Sequence, residues 1–84
     1  MNNWYVYIAK TVSGQLYTGV SNSVADRIEK HNSGKGAKYT RANGPVTLVY
    51  VSGSVTKSEA LKREIQIKGW TRAKKLKLIS GEWE

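Results

Sequence analysis

Tyr5-Val6-Tyr7-Ile8-Ala9, the turn signal Ser13-Gly14, and Leu16-Tyr17-Thr18-Gly19-Val20 decide how this chain folds. Trp4, Val6 and Ile8 alternate with Tyr5, Tyr7 and Ala9. Leu16, Thr18 and Val20 alternate with Tyr17 and Gly19. Two alternating runs around a glycine-containing turn predict a β-hairpin. Directly opposed hairpin residues point to the same face, so Tyr7 and Tyr17 share a face only if the loop has an odd number of residues. A three-residue loop sets Gly19 opposite Tyr7 and leaves space beside that ring.

Outward from the hairpin, Ser23-Val24-Ala25-Asp26 resembles a capping box with Asp in place of Glu, and it opens a helix that runs to about Asn32. Ser33-Gly34 ends that helix. Gly34 to Pro45 reads as a basic, glycine-containing loop or short helical segment. The β-branched run Val46 to Val51 reads as a third, interior strand. Thr56-Lys57-Ser58-Glu59 is a full capping box for a second helix to about Lys68. Gly69 interrupts, and Thr71 caps a last helix, Arg72 to Ile79. The order β-β-α-β-α-α predicts a small α/β domain with a three-stranded, mostly antiparallel sheet flanked by helices.

The 84 residues are the length of one domain. A domain this short buries only roughly 60% of its unfolded surface, so the core is small. There is no cysteine and one histidine, His31. Disulfide staples, thiolate zinc sites and histidine clusters are therefore excluded, and a reducing, cytoplasmic setting is the expectation. No apolar run approaches the length of a membrane span, and the start lacks a basic-then-apolar leader pattern. The net charge of +8 points to a polyanionic partner, nucleic acid before a membrane surface.

Two predicted helices place charged groups where apolar ones belong. Val24, Arg27, Ile28 and His31 fall at i, i+3, i+4 and i+7, the spacing of a core-facing stripe, and two of the four are ionisable. On the second helix Ala60, Leu61, Ile65 and Ile67 read as the apolar face, with Glu64 inside its arc. A carboxylate buried there needs a cation. Either a lysine or Arg27 provides it in a salt bridge, or a divalent metal does. Magnesium suits a lone glutamate because it keeps most of its water and takes its other oxygens from phosphate. Tyrosine hydroxyls, an arginine, a histidine and one glutamate are what phosphodiester hydrolysis requires. Cations stabilise the charged transition state, and a tyrosine or His31 takes a proton from the attacking water. The glycines from Gly14 to Gly19 have P-loop spacing, but Val20 stands where lysine is required.

These residues, taken together, resemble the GIY-YIG nuclease superfamily, specifically its small stand-alone single-domain group. The two signature triplets correspond to Tyr5-Val6-Tyr7 and Tyr17-Thr18-Gly19, and the helical arginine-histidine spacing to Arg27 and His31. The stretches Lys35-Gly36-Ala37-Lys38-Tyr39-Thr40-Arg41, Pro45-Val46 and Ser58-Glu59-Ala60-Leu61-Lys62-Arg63-Glu64 are similar to that group as well, so the likeness spans nearly the whole chain. It implies a metal-dependent endonuclease acting on DNA rather than RNA, single-stranded or structured DNA included, in repair or nucleic-acid processing. The roles it implies are Tyr17 as general base or direct activator of the nucleophile, with Tyr7 supporting it. Arg27 steadies the scissile phosphate, His31 assists proton transfer, and Glu64 holds one Mg2+ or Mn2+.

The chain also departs from the pattern. Tyr5 replaces the first glycine of the signature and Thr18 its second isoleucine, and no asparagine follows Asn43. The family often carries a separate DNA-targeting domain. Here targeting falls to this domain or to a protein partner. Lys35, Lys38, Tyr39 and Arg41 interleave charge with an aromatic and glycines, the composition of a backbone-contacting strip with one stacking platform. Lys74, Lys75 and Lys77 widen that footprint. Two other functions fit the same fold. One is a non-catalytic nucleic-acid-binding module. The other is an accessory subunit of a repair enzyme, anchored by Trp83 and by Trp4 or Trp70 if exposed.

Overall fold

The computed structural model describes residues 3–32 and 45–81. Strands β1 (Tyr5–Thr11) and β2 (Leu16–Ser21) are followed by helix α1 (Val24–Asn32), strand β3 (Val46–Val51), helix α2 (Lys57–Lys68) and helix α3 (Arg72–Ser80). The sheet order is β2-β1-β3, antiparallel throughout.

The hairpin has the register expected of a three-residue loop. Gly14 N–H donates to the Thr11 carbonyl at 2.9 Å, and Thr11 N–H donates to that of Gln15 at 2.9 Å. Gly14 sits at φ +91°, the left-handed region that a glycine occupies without strain. The Thr11 side chain completes the loop, its Oγ1 accepting from Gln15 N–H at 3.0 Å. Tyr7 therefore faces Gly19, and Ala9 faces Tyr17.

Both faces of the hairpin are covered. On one, Tyr7 and Ala9 pack with Val46, Tyr17, Val24 and Ile28 under α1. On the other, Val6 and Ile8 pack with Ala60, Ile67 and Leu78 from α2 and α3. The interior strand is thus β1, buried continuously from Val6 to Ala9, and not β3 as its apolar run suggested. β3 is an edge strand with Thr47, Leu48 and Val51 exposed. It pairs only with β1, and the register shifts there, Ile8 opposing Tyr50 and Ala9 opposing Leu48. The extra residue, Val49, flips the alternation. Val46 then faces α1, while Val49 and Tyr50 both face the α2–α3 layer.

The caps follow the sequence closely. The Thr56–Glu59 capping box is complete in both directions, and the Thr71 hydroxyl accepts from Lys74 N–H. At α1 the shorter aspartate changes the pattern. Ser23 Oγ donates to Asp26 at 2.8 Å, and Ser23 N–H is taken instead by Ser21 Oγ at 2.9 Å.

Candidate active site

Tyr7 projects from the centre of the sheet and is 1% exposed. Its ring lies over Gly19. A Cβ added there would stand 2.6 Å from the phenol oxygen and 2.7 Å from Cζ. Gly19 is not in a left-handed conformation, so it is the close approach of the ring that requires glycine. Beside it Tyr17 tilts at 51°, ring centroids 6.4 Å apart. His31 meets Tyr17 edge-on, at 5.4 Å and 75°. Two strands and one helix thus bring three proton-carrying rings into a row.

His31 is 4% exposed, in the last turn of α1. Its neighbour Asn32 fixes that turn. Asn32 Oδ1 accepts from Val46 N–H at 2.7 Å, and Nδ2 donates to the Val46 carbonyl at 3.1 Å. The amide imitates a strand partner and pins the end of α1 to the start of β3. Nothing in the sequence signals this pairing across 14 positions.

Arg27 lies one turn before His31 and is exposed, while its charge reaches inward. Burial first, and the Arg27 charge second, hold His31 below the ordinary histidine value, which keeps the imidazole neutral at pH 7. Tyr7 is pushed up to about 12, mainly by burial and then by Tyr17; Arg27 opposes the shift and Glu64 adds to it. Tyr7 therefore keeps its proton at any physiological pH.

Glu64 shares the inner face of α2 with Ala60 and Ile67, both fully buried. Its side chain is 17% exposed and pairs with Lys68 Nζ at 3.2 Å. The cation demanded by a carboxylate in this place is, in this structure, a lysine at i+4, a spacing visible in the sequence. Leu61 and Ile65, expected on the apolar face, turn to solvent at 39% and 72% exposed. Among the described residues no three histidine, aspartate or glutamate side chains gather into a metal cage. One accessible hard oxygen donor fits magnesium or manganese only in the manner of an ion that keeps its water and binds phosphate. Glu64 would be its protein ligand, in place of Lys68.

The structure thus brings Tyr7, Tyr17 and His31 into ring contact and sets the charges of Arg27 and Glu64 around them. Lys35, Lys38, Tyr39 and Arg41 lie outside the described residues, as does Trp83. Trp4 and Trp70 are half-buried and carry cations. Lys57 stands 5.1 Å from the ring of Trp4, and Arg63 and Lys74 stand 5.0 and 4.5 Å from that of Trp70.

The family profile of the GIY-YIG catalytic domain matches residues 3–77. UPF0213 proteins of Staphylococcus aureus strains Mu3 and Mu50 are each 57% identical over 79 residues, covering 94% of this chain and 96% of theirs. The solution NMR structure of a UPF0213 protein from Bacillus halodurans is 47% identical and superposes with a TM-score of 0.58, covering 92% of this chain and 82% of that one. The chain therefore belongs to the GIY-YIG catalytic-domain family, among its UPF0213 members.

Proposed function

We propose that this protein is a metal-dependent endonuclease that hydrolyses phosphodiester bonds in DNA, including single-stranded or structured DNA, in repair or nucleic-acid processing. The observation that carries this reading is the row Tyr7–Tyr17–His31 with Arg27 and Glu64 acting on it electrostatically. The Tyr17 hydroxyl holds the attacking water, and the neutral imidazole of His31 beside it takes up the proton released as the water oxygen bonds to phosphorus. The P–O bond to the leaving sugar oxygen breaks, and that oxygen takes a proton from solvent. Tyr7, protonated throughout, donates a hydrogen bond to a non-bridging phosphate oxygen. The Arg27 guanidinium pairs with the same phosphate as negative charge builds in the transition state. A single Mg2+ or Mn2+ on Glu64 would add Lewis-acid stabilisation of that charge. Lys35, Lys38, Tyr39 and Arg41 grip the flanking backbone, and a protein partner supplies targeting. The cytoplasm, where a cysteine-free protein loses nothing to reduction, is the assigned setting.

One observation favours a second reading. Glu64 is already neutralised by Lys68, as it would be in a module that binds nucleic acid without cutting it. Single-turnover cleavage separates the two. Tyr17→Phe and His31→Gln should each lower the rate by about 10²-fold or more while binding holds. Wild-type rates in both variants would remove the row of rings from the mechanism.

A further inference from the structure

Basic residues gather on one side of the row of rings, along β2 and the start of α3. Two clefts open along β2, the first of them beside Tyr17. The first, about 270 Å³, is lined by Leu16, Tyr17, Thr18, Lys68 and Lys75. The second, about 290 Å³, is lined by Gln15, Leu16, Arg72 and Lys75. They share Leu16 and Lys75, so they form one path from Tyr17 toward the hairpin tip, where a Cβ on Gly14 would lie 4.0 Å from the Arg72 guanidinium. No carboxylate lines either cleft among the described residues, and of the three cations Lys68 is the one paired, with Glu64 at 3.2 Å.

The placement of the charges is costly for the helix. Arg72 and Lys75 stand in the first turn and a half of α3, which has no acidic residue in its first turn. Cations there oppose the helix dipole. Lys74, between them in sequence, faces Trp70 instead. An unfavourable arrangement of charge, open on a cleft that begins at Tyr17, is what a polyanionic ligand would offset.

We propose that Lys68, Arg72 and Lys75 form a track that binds the sugar-phosphate backbone of the nucleic-acid substrate on the hairpin side of the scissile phosphate. This rests on the nuclease reading and deepens it, since it assigns a second contact region away from residues 35–41. It also divides the basic residues of α3. Lys75 touches substrate, whereas Lys74 packs on tryptophan and Lys77 stays outside the track.

The test is the salt dependence of binding, measured by fluorescence anisotropy with labelled duplex DNA in EDTA. The variant Arg72→Gln/Lys75→Gln is compared with the charge-matched control Lys57→Gln/Lys62→Gln. Two lost phosphate contacts make the slope of log K against log salt shallower by about 1.8, and the control keeps the wild-type slope. Because the removed charges oppose the helix dipole, the variant melts no lower than wild type. An unchanged slope, or an equal change in the control, overturns the track while wild-type cleavage keeps the nuclease reading intact. A wild-type protein that neither binds nor cuts DNA overturns both.

Discussion

Gly19→Ala puts one methyl group where the Tyr7 ring lies. The new Cβ would stand 2.6 Å from the phenol oxygen, 2.7 Å from Cζ and 3.0 Å from Cε2, against an ordinary contact that begins at 3.4 Å. The ring must retreat by about 0.8 Å at its tip, the difference between 3.4 and 2.6 Å. It cannot swing aside freely, because Tyr7 is 1% exposed and packed among Ala9, Val46, Tyr17, Val24 and Ile28. Overpacking of this kind costs about 1–3 kcal/mol, and each kcal/mol lowers the melting temperature of a domain this size by roughly 4–8 °C. A shift approaching 1 Å in a catalytic group costs about 10²-fold in rate. The sign of the effect then depends on the ring. In a Tyr7→Ala background the clash is gone, and Gly19→Ala becomes neutral or stabilises by about 0.4–1 kcal/mol through the unfolded chain. Thermal unfolding of the four proteins in this cycle measures the coupling. Equal destabilisation by Gly19→Ala in both backgrounds would refute the contact between ring and glycine.

Other outcomes follow from single features. Thr18 is 3% exposed and its Oγ1 is buried without a hydrogen-bond partner among the described residues, so Thr18→Val should raise stability by about 1 kcal/mol, read as a higher urea midpoint. Asn32→Asp loses the donor to the Val46 carbonyl and sets a carboxylate against it. It should cost about 1–3 kcal/mol and slow cleavage through misplacement of His31, whereas unchanged stability would show that the clip does not hold. His31 titrates below its ordinary value of 6.5, so the unfolded chain takes up the proton first as pH falls. Its contribution to stability is complete above that ordinary value and is lost as pH drops through it to the lower folded one. Urea midpoints measured across this window should fall for wild type and fall less for His31→Gln.

Local signals carried most of this fold. The hairpin and its turn were legible from a few adjacent residues, while the choice of a three-residue loop, which sets Tyr7 over Gly19, stood in the sequence only as a condition. Thr56 and Thr71 marked two helix starts in the same local way. What failed depended on distant neighbours. Val46–Val51 is mostly apolar yet lies at an edge, since strand order is decided by what packs beside it, and its bulge lets Val46 serve one layer and Val49 and Tyr50 the other. Ile65 sits in an apolar-looking arc but is 72% exposed, because the buried stripe of α2 runs through Ala60, Glu64 and Ile67. Glu64 was legible as an anomaly, and Lys68 as its partner only through spacing. The Asn32 clip had no trace in the sequence at all, since it joins a helix end to a strand across 14 positions.

The central claim is hydrolysis supported by Glu64, and cleavage of labelled single-stranded, duplex and branched DNA tests it most directly. Wild type and Glu64→Ala are compared in magnesium, in manganese and in EDTA. The account predicts cutting by wild type with either metal, none in EDTA, and none by Glu64→Ala, which still binds DNA. Cutting by Glu64→Ala at the wild-type rate would contradict the metal assignment, and binding without cutting by wild type in every condition would contradict the nuclease.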